Sequence, residues 1–225
     1  GATGLVGRTM VKVLEERQFP IKQLKLFASE RSAGKTLQFR GSDIQVQELT
    51  GAAFEDTDIA LFSAGKSVSR KYAPIAAKTG CIVVDNSSAW RMDPDIPLIV
   101  PEVNSSVIRN HSGIIANPNC STIQLVVVLK ALHELFTLKR VICSTYQSVS
   151  GAGQEGIDHL MAEIEGREPD KRISPYKLAY NTAFNKMDSE TFFTEEEEKM
   201  INETRKIMRL PHLPLAMTCV RVPVL

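Results

Sequence analysis

The sequence predicts an α/β protein in which a doubly wound, Rossmann-like domain, residues 1–119, precedes an α+β domain, residues 120–225. Three observations indicate this fold class. Short apolar strands alternate with helical patterns through the first half of the chain. A glycine-rich turn opens the first helix. A long apolar helix begins at a cysteine, Cys120, and a long strand follows it.

Composition limits the kinds of partner. The chain has 225 residues, of which 43% are hydrophobic and 24% charged, and its formal net charge is +1. Such a balance predicts neither a nucleic-acid surface nor a membrane surface. No apolar run reaches the roughly 18 residues of a membrane helix, and the four cysteines show neither metal-ligand nor disulfide spacing. We therefore expect a cytoplasmic protein without a metal site.

The sequence pattern at each end of the chain is typical of an incomplete secondary-structure element. No strand precedes the glycine-rich turn, and residues 222–225 lie in an apolar, strand-like run. We therefore expect residues to be absent at both ends, including the first strand of the doubly wound sheet.

The glycine-rich turn predicts a phosphate site. Gly1, Gly4 and Gly7 allow the backbone to approach a pyrophosphate, whose charge then lies at a helix N-terminus. A second small-residue turn, Ser63 to Gly65, opens another helix. The predicted elements of this half are helices 5–17 and 68–78, strands 23–28, 59–63, 81–84 and 114–116, and a hairpin of 36–39 with 44–46.

The turn after the second predicted strand bears on cofactor choice. A site for NAD usually has an acidic residue there. Here Ser29, Arg31 and Ser32 offer hydrogen-bond donors that suit a 2′-phosphate, although Glu30 lies among them. The alternative is a polar surface turn without a ligand.

Cys120 is the candidate nucleophile. The polar Asn117 to Asn119 turn delivers it to the start of a predicted helix, 121–136, where unpaired N–H groups and the helix dipole favour a thiolate. The alternative is a small buried side chain. The helix is apolar over most of its circumference and is predicted to be central. His133 lies too far along it to act as a base.

Three further side chains are candidates for binding the substrate or an anion. Arg91 either stacks on Trp90 at the surface or binds an anion as a guanidinium fork. Gln147 lies near the end of the predicted strand 140–149 and can position a carbonyl. Arg221, in the predicted strand 215–225, needs an anion if it is buried.

The remaining patterns are helical. A helix with a capping box begins after Thr194, and it carries Glu203 and Lys206 on one face, by default a solvated salt bridge. Helix 156–165 carries His159, which is predicted to be solvated. Residues 176–184 are weakly strand-like.

These motifs resemble the aspartate-semialdehyde dehydrogenase family. The matches follow the family order: GATGLVG at 1–7, ASERSAGK at 28–35, SAG at 63–65, DNSSAWRM at 85–92, NPNCSTIQ at 117–124, TYQSVSGAG at 145–153, NETRK at 202–206 and TCVRVPV at 218–224. The resemblance implies NADP-dependent reductive dephosphorylation of L-4-aspartyl phosphate to L-aspartate 4-semialdehyde. The reaction is reversible and serves lysine, threonine and methionine biosynthesis.

The resemblance also implies roles for individual residues. Cys120 would form a thiohemiacetal and then a thioester, and Gln147 would orient the carbonyl. Arg221 would bind the substrate carboxylate and Glu203 its amino group. The phosphate would meet Arg91 and Lys206, with Asn119 shaping the anion site. The cofactor would be lined by Gly1, Thr3, Gly4, Val6, Ser29, Arg31, Ser32, Ser63 and Gly151.

The resemblance has one departure. The family places a catalytic histidine about seven residues beyond the position of Arg221, and this chain ends at Leu225. We therefore expect that histidine in an absent segment. Two alternatives remain: an enzyme like N-acetyl-glutamyl-phosphate reductase, and an inactive dimerisation homologue. The family forms homodimers or dimers of dimers, so a homodimer is implied, with the α+β domain as its catalytic and dimerisation domain.

Overall fold

The structure is a computed structural model that describes residues 1–225, and the chain divides into two compact units. The first unit comprises Gly1–Pro97 and Asn110–Asn117, and the second comprises Leu98–Arg109 and Pro118–Leu225. The sequence boundary at residue 119 stays a prediction. No helix has both the length and the apolar character needed to cross a bilayer.

The first unit contains two helices and six strands. They are α1 Leu5–Glu16, β1 Leu26–Ala28, β2 Thr36–Phe39, β3 Ser42–Glu48, β4 Ile59–Phe62, α2 Lys66–Lys78, β5 Ile82–Asp85 and β6 Ile114–Ala116. One sheet has the order β1-β3-β2, with β1 and β3 parallel and the predicted β2–β3 hairpin antiparallel. The other sheet, β4-β5-β6, is entirely parallel. Parallel strands joined by helices confirm the predicted α/β, doubly wound class.

The core of the first unit follows the apolar pattern of its elements. Val11 of α1 packs with Leu26, Phe39 and Val46 from the first sheet. Val83 and Asp85 of β5 are fully buried, whereas Ile82 and Val84 on the other face of the strand are half-buried.

The second unit contains four helices and three strands. They are α3 Pro101–Asn104, α4 Cys120–Phe136, β7 Val141–Gln147, α5 Gln154–Ile164, β8 Ala183–Phe184, α6 Glu195–Met208 and β9 Leu215–Arg221. Its sheet has the order β7-β9-β8, with β7 and β9 parallel and β8 antiparallel to β9. The weakly strand-like stretch 176–184 forms only the two-residue β8. The predicted strand 215–225 is shorter in the structure, where β9 ends at Arg221.

The helix of Cys120 is less central than its composition predicts. Only Thr122, Val126 and Leu129 of α4 are buried, whereas Leu135 and Phe136 are about three-quarters exposed. The prediction of a central helix is therefore wrong for this chain. A helix that is apolar on all sides is not necessarily packed against other elements on all sides.

His159 is buried, which overturns the prediction of a solvated residue. Its exposed fraction is 0%, and its Nδ1 accepts from the backbone N–H of Ile173 at 3.1 Å. Its Nε2 lies 3.0 Å from Glu163 Oε1. Because Nδ1 accepts, the proton is on Nε2 and points at Glu163. The pair fastens α5 to the chain that follows it.

Glu163 completes this buried network. Its Oε2 accepts from the backbone N–H groups of Leu178 at 2.6 Å and Ala179 at 2.9 Å. Burial alone would raise the pKa of Glu163, but these hydrogen bonds and the one from His159 hold that pKa below its ordinary value. The charged form of Glu163 is therefore part of the folded second unit.

Candidate functional site

The candidate site of the second unit is built around the first turn of α4. Asn119 is the N-cap residue, and its Oδ1 accepts from the backbone N–H groups of Ser121 at 2.9 Å and Thr122 at 3.3 Å. Side-chain oxygen at this position satisfies helix donors that would otherwise lack a partner. Cys120 is the first helical residue and is exposed, which confirms its predicted place at a helix N-terminus.

The other three thiols are poor nucleophile candidates. Burial raises the pKa of the Cys81, Cys143 and Cys219 thiols, so each stays protonated near neutral pH. Cys219 of β9 belongs to a buried cluster with Met200 and Met217, and the half-buried Cys143 of β7 packs against that cluster. Cys120 is the exposed thiol of the four, and the interpretation of it as a small buried residue is wrong.

Two glutamates of α6 hold the cap residue in place. The backbone N–H of Asn119 donates to Glu203 Oε2 at 2.6 Å, and Asn119 Nδ2 donates to Glu196 Oε1 at 2.9 Å. Glu203 is 1% exposed, so the default interpretation of a solvated pair with Lys206 is wrong for Glu203. Lys206 follows one turn later and is half-buried. A buried carboxylate against the turn before Cys120 is a site feature, not a surface one.

Gln147 reaches the same turn from the sheet. It is the last residue of β7, and its Nε2 donates to Ser121 Oγ at 2.8 Å and to Glu196 Oε1 at 3.3 Å. Arg221, the last residue of β9, is its register partner. The parallel pairing therefore brings both side chains to one edge of the sheet.

Arg221 is held by the loop after β7. Its Nη1 donates to Ser148 O at 3.0 Å. A Cβ built on Gly151 would lie 3.3 Å from the same Nη1, so a glycine lets the loop pass close to the guanidinium. The structure thus places Gly151 beside Arg221, and half-buried Arg221 keeps donors for an anion.

In the first unit, the glycine-rich turn has the shape of a phosphate cradle. Gly4 caps α1, and α1 has neither a side-chain cap nor an acidic residue in its first turn. A Cβ on Gly7 would lie 2.3 Å from Gly1 O, and one on Gly1 would lie 3.1 Å from Ser63 O. The turn is therefore too tight for side chains, and its helix N–H groups fit a pyrophosphate.

The other cofactor residues predicted in this unit lie in the turn after β1 and at the start of α1. Ser29, Arg31 and Ser32 follow β1 in a short helical turn, where Ser29 and Arg31 are exposed. Thr3 is half-buried and Val6 exposed. The side chains of these residues make no hydrogen bond that would prevent contact with a nucleotide.

Arg91 is buried, and it does not stack on Trp90. Its Nη2 donates to Asn86 O at 2.9 Å, and 8% of the residue is exposed. The cation over Trp90 is Arg70, with Cζ 4.2 Å from the ring centroid. The surface-pair interpretation of Arg91 is therefore wrong, because Trp90 is inside the unit and bonds Ser69.

Three of the four histidines, His111, His133 and His159, have identified hydrogen-bond partners. His159 bonds Glu163, and the Nδ1 atoms of His111 and His133 accept from the backbone N–H groups of Gly113 and Leu138. Each of these contacts is local to its own element. These three rings thus have structural partners, and the position of a catalytic histidine stays a prediction.

Sequence reasoning missed Glu196. It lies in a run of four glutamates, and only its helical phase distinguishes it: Glu196 and Glu203 are seven residues apart, which is two turns on one face of α6. That spacing is the signal that would have found it.

Comparisons with known proteins agree along the whole chain. Family models match residues 1–111, as a semialdehyde dehydrogenase NAD binding domain, and residues 129–225, as a semialdehyde dehydrogenase dimerisation domain. The chain is 53% identical to aspartate-semialdehyde dehydrogenase of Aquifex aeolicus and 48% identical to that of Bacillus subtilis. Each alignment covers 100% of this chain and 68% of the relative.

A solved structure is similar as well. It is aspartate semialdehyde dehydrogenase II from Vibrio cholerae, complexed with ASA, with a TM-score of 0.92 and 45% identity. The match covers 100% of this chain and 69% of that one.

Proposed function

The chain belongs to the aspartate-semialdehyde dehydrogenase family, and we propose that it catalyses the family reaction through Cys120. In one direction, L-aspartate 4-semialdehyde, inorganic phosphate and an oxidised nicotinamide cofactor give L-4-aspartyl phosphate, the reduced cofactor and a proton. The reverse direction supplies the semialdehyde for amino-acid biosynthesis. The exposed Cys120 at the capped start of α4, beside Gln147, is the observation that carries this proposal.

The chemistry is covalent catalysis by the thiolate of Cys120. Its sulfur adds to the aldehyde carbon and forms a thiohemiacetal, and the oxidised form of that adduct is a thioester. A nicotinamide nucleotide, when bound, would be the two-electron oxidant, because it would accept the hydride from the adduct. Inorganic phosphate then attacks the thioester carbonyl, the acyl phosphate leaves, and Cys120 returns as a thiolate.

Charged and amide side chains hold the substrate in this proposal. Gln147 donates to the reacting carbonyl oxygen, where negative charge develops. The guanidinium of Arg221 binds the substrate carboxylate as a fork, and the buried carboxylate of Glu203 pairs with the amino group. Arg91 and Lys206 bind phosphate, and Asn119 shapes the anion site.

The cofactor is a nicotinamide nucleotide, and we propose that it is NADP. Ser29, Arg31 and Ser32 provide donors for a 2′-phosphate at the end of β1. The pyrophosphate meets the turn of Gly1, Thr3, Gly4 and Val6 at the start of α1. Ser63 and Gly151 complete the proposed cofactor lining.

The chain carries a dimerisation domain, so an oligomer is expected. We propose a homodimer, or a dimer of such dimers, in the cytoplasm. The outer face of β7 supports this because Ile142 is 69% and Tyr146 75% exposed. Large apolar side chains on an open sheet face are typical of a protein interface.

The two alternatives gain no support. The relatives and the solved structure described above are all aspartate-semialdehyde dehydrogenases. An enzyme like N-acetyl-glutamyl-phosphate reductase would need a site for a larger acylated substrate. An inactive homologue would not need an exposed thiol at a helix N-terminus that Gln147 and Glu203 contact.

Formation of reduced nicotinamide from L-aspartate 4-semialdehyde tests the proposal. We expect phosphate-dependent activity that is greater with NADP than with NAD and that Cys120→Ala abolishes. Cys143→Ala is the matched control, because that thiol packs in the core and should leave turnover intact. Full activity of Cys120→Ala, or turnover that does not need phosphate, would refute the mechanism.

A further inference from the structure

Glu196 links the two amide side chains of the second unit's site. One oxygen, Oε1, accepts from Asn119 Nδ2 at 2.9 Å and from Gln147 Nε2 at 3.3 Å. Glu196 is half-buried in the first turn of α6. Its neighbour Glu195 instead pairs with Lys199 at the surface, at 2.8 Å.

An ionised carboxylate only accepts hydrogen bonds, so it decides which way an amide faces. Asn119 Oδ1 is already committed to the backbone N–H groups of Ser121 and Thr122. Its Nδ2 therefore has to point elsewhere, and Glu196 receives it. If Gln147 were flipped, its oxygen would face the Glu196 carboxylate, which is repulsive.

Gln147 thus has a fixed donor end. Nε2 carries two hydrogens, one directed at Ser121 Oγ at 2.8 Å and one directed at Glu196 at 3.3 Å. Both contacts keep Nε2 on the side of the α4 N-terminus, where Cys120 lies. The contact with Glu196 is the longer and therefore the weaker of the two, so the oxygen of a substrate carbonyl can share the hydrogen that points at Glu196.

We propose that Glu196 is a positioning residue, which keeps the donor end of the Gln147 amide facing the carbonyl that Cys120 attacks. This inference rests on the proposed function, because it acts through the role given there to Gln147. Glu196 itself touches neither the substrate nor the reacting atoms in this proposal.

A double-mutant cycle tests the coupling. We expect Glu196→Ala to lower kcat about tenfold, within the range for contacting residues, with the KM for the aldehyde changed less than about twofold. In a Gln147→Ala background the same change should alter kcat less than about twofold. Glu196→Gln keeps an acceptor oxygen and should restore most of the activity, and Glu195→Ala is the matched control.

A spectroscopic measurement tests the orientation without turnover. The side-chain amide signals of Gln147 in a ¹⁵N spectrum are identified by their loss in Gln147→Ala. We expect Glu196→Ala and Glu196→Gln to shift these signals and Glu195→Ala to leave them in place. If Glu196→Ala fails to fold, the near-isosteric Glu196→Gln still reports, and unshifted Gln147 signals in that variant would overturn the inference.

The outcomes separate the two proposals. Full activity of Gln147→Ala or of Cys120→Ala would refute the proposed function. If Gln147→Ala lowers kcat but the effect of Glu196→Ala is equally large in both backgrounds, only the positioning role fails. An equal loss in Glu195→Ala would also overturn it, since the effect would then belong to the helix end and not to the Gln147 contact.

Discussion

Replacing Asn119 by aspartate tests whether the glutamates around this helix N-cap determine which residues can occupy it without loss of stability. At ordinary helix N-caps, Asn, Asp and Ser are about equally favourable, so local helix rules predict almost no change in stability. Here Asn119 Nδ2 donates to Glu196 Oε1 at 2.9 Å, and its backbone N–H donates to Glu203 Oε2 at 2.6 Å. Aspartate would place a carboxylate oxygen where the amide now donates.

The magnitude follows from two terms. Asn119→Asp loses a hydrogen bond to a charged acceptor, about 1.5–3 kcal/mol, and adds a like-charge contact of about 4 kcal/mol at about 4 Å and an effective dielectric constant of 20. Rearrangement and water relieve part of this, so we expect the free energy of unfolding to fall by about 2–4 kcal/mol near pH 7. Asn119→Ser keeps a capping oxygen without charge and should lose only about 1–2 kcal/mol.

Urea unfolding followed by far-ultraviolet circular dichroism measures both variants. The difference between Asn119→Asp and Asn119→Ser should narrow from about pH 7 to about pH 5, because protonating one carboxylate of the new pair removes the repulsion. An aspartate variant as stable as the wild type would refute the reasoning. So would a loss that stays the same at both pH values, since that would exclude like-charge repulsion as the cause.

Three further predictions concern other parts of the chain. Gly7→Ala should lower the free energy of unfolding by about 1–3 kcal/mol and weaken nucleotide binding, because the added Cβ would lie 2.3 Å from Gly1 O. The control is Gly51→Ala, whose Cβ would meet no atom within 4 Å. This control should be nearly neutral in the same unfolding and binding titrations. The depressed pKa of Glu163 stabilises the fold above the pKa of this group in the unfolded chain, and the contribution is lost as pH falls through its folded pKa. Stability curves of Glu163→Gln should lack this acid-side slope, and an unchanged slope would contradict the assignment. Arg31→Ala should raise the KM for NADP about tenfold, the effect of losing one charge-assisted hydrogen bond, while the KM for NAD stays nearly constant, and equal increases for both cofactors would exclude a 2′-phosphate contact.

Local signals in the sequence predicted local structure well. The capping box at Thr194 is present as predicted, because Thr194 and Glu197 bond each other's backbone N–H groups and need no distant partner. The placement of Cys120 at a helix start is confirmed for the same reason: the Asn119 cap acts within its own turn. Signals of this kind are complete within about four residues.

Features that depend on distant partners could not be predicted in the same way. The helix of His159 gives no indication that the backbone N–H of Ile173, 14 residues later, will donate to the ring. Likewise, Glu196 is one of four consecutive glutamates, and its contact with Gln147 joins residues 49 apart in sequence. Hydrogen bonds between polar residues that are far apart in sequence can be identified only when the fold is known.

The parallel strands explain why the predicted site residues were still recognisable. Ser29 follows β1, Ser63 follows β4 and Asn86 follows β5, while Gln147 and Arg221 end β7 and β9. Because the crossover from one parallel strand to the next begins at the carboxyl end, the polar turns of each unit collect at one edge of its sheets. An apolar run that stops at a polar residue is visible in the sequence, so the positions of these side chains could be predicted. Which atom each side chain presents there depends on hydrogen-bond acceptors such as Glu196. The positions of these acceptors are set by the packing of the fold and could not be predicted from the sequence.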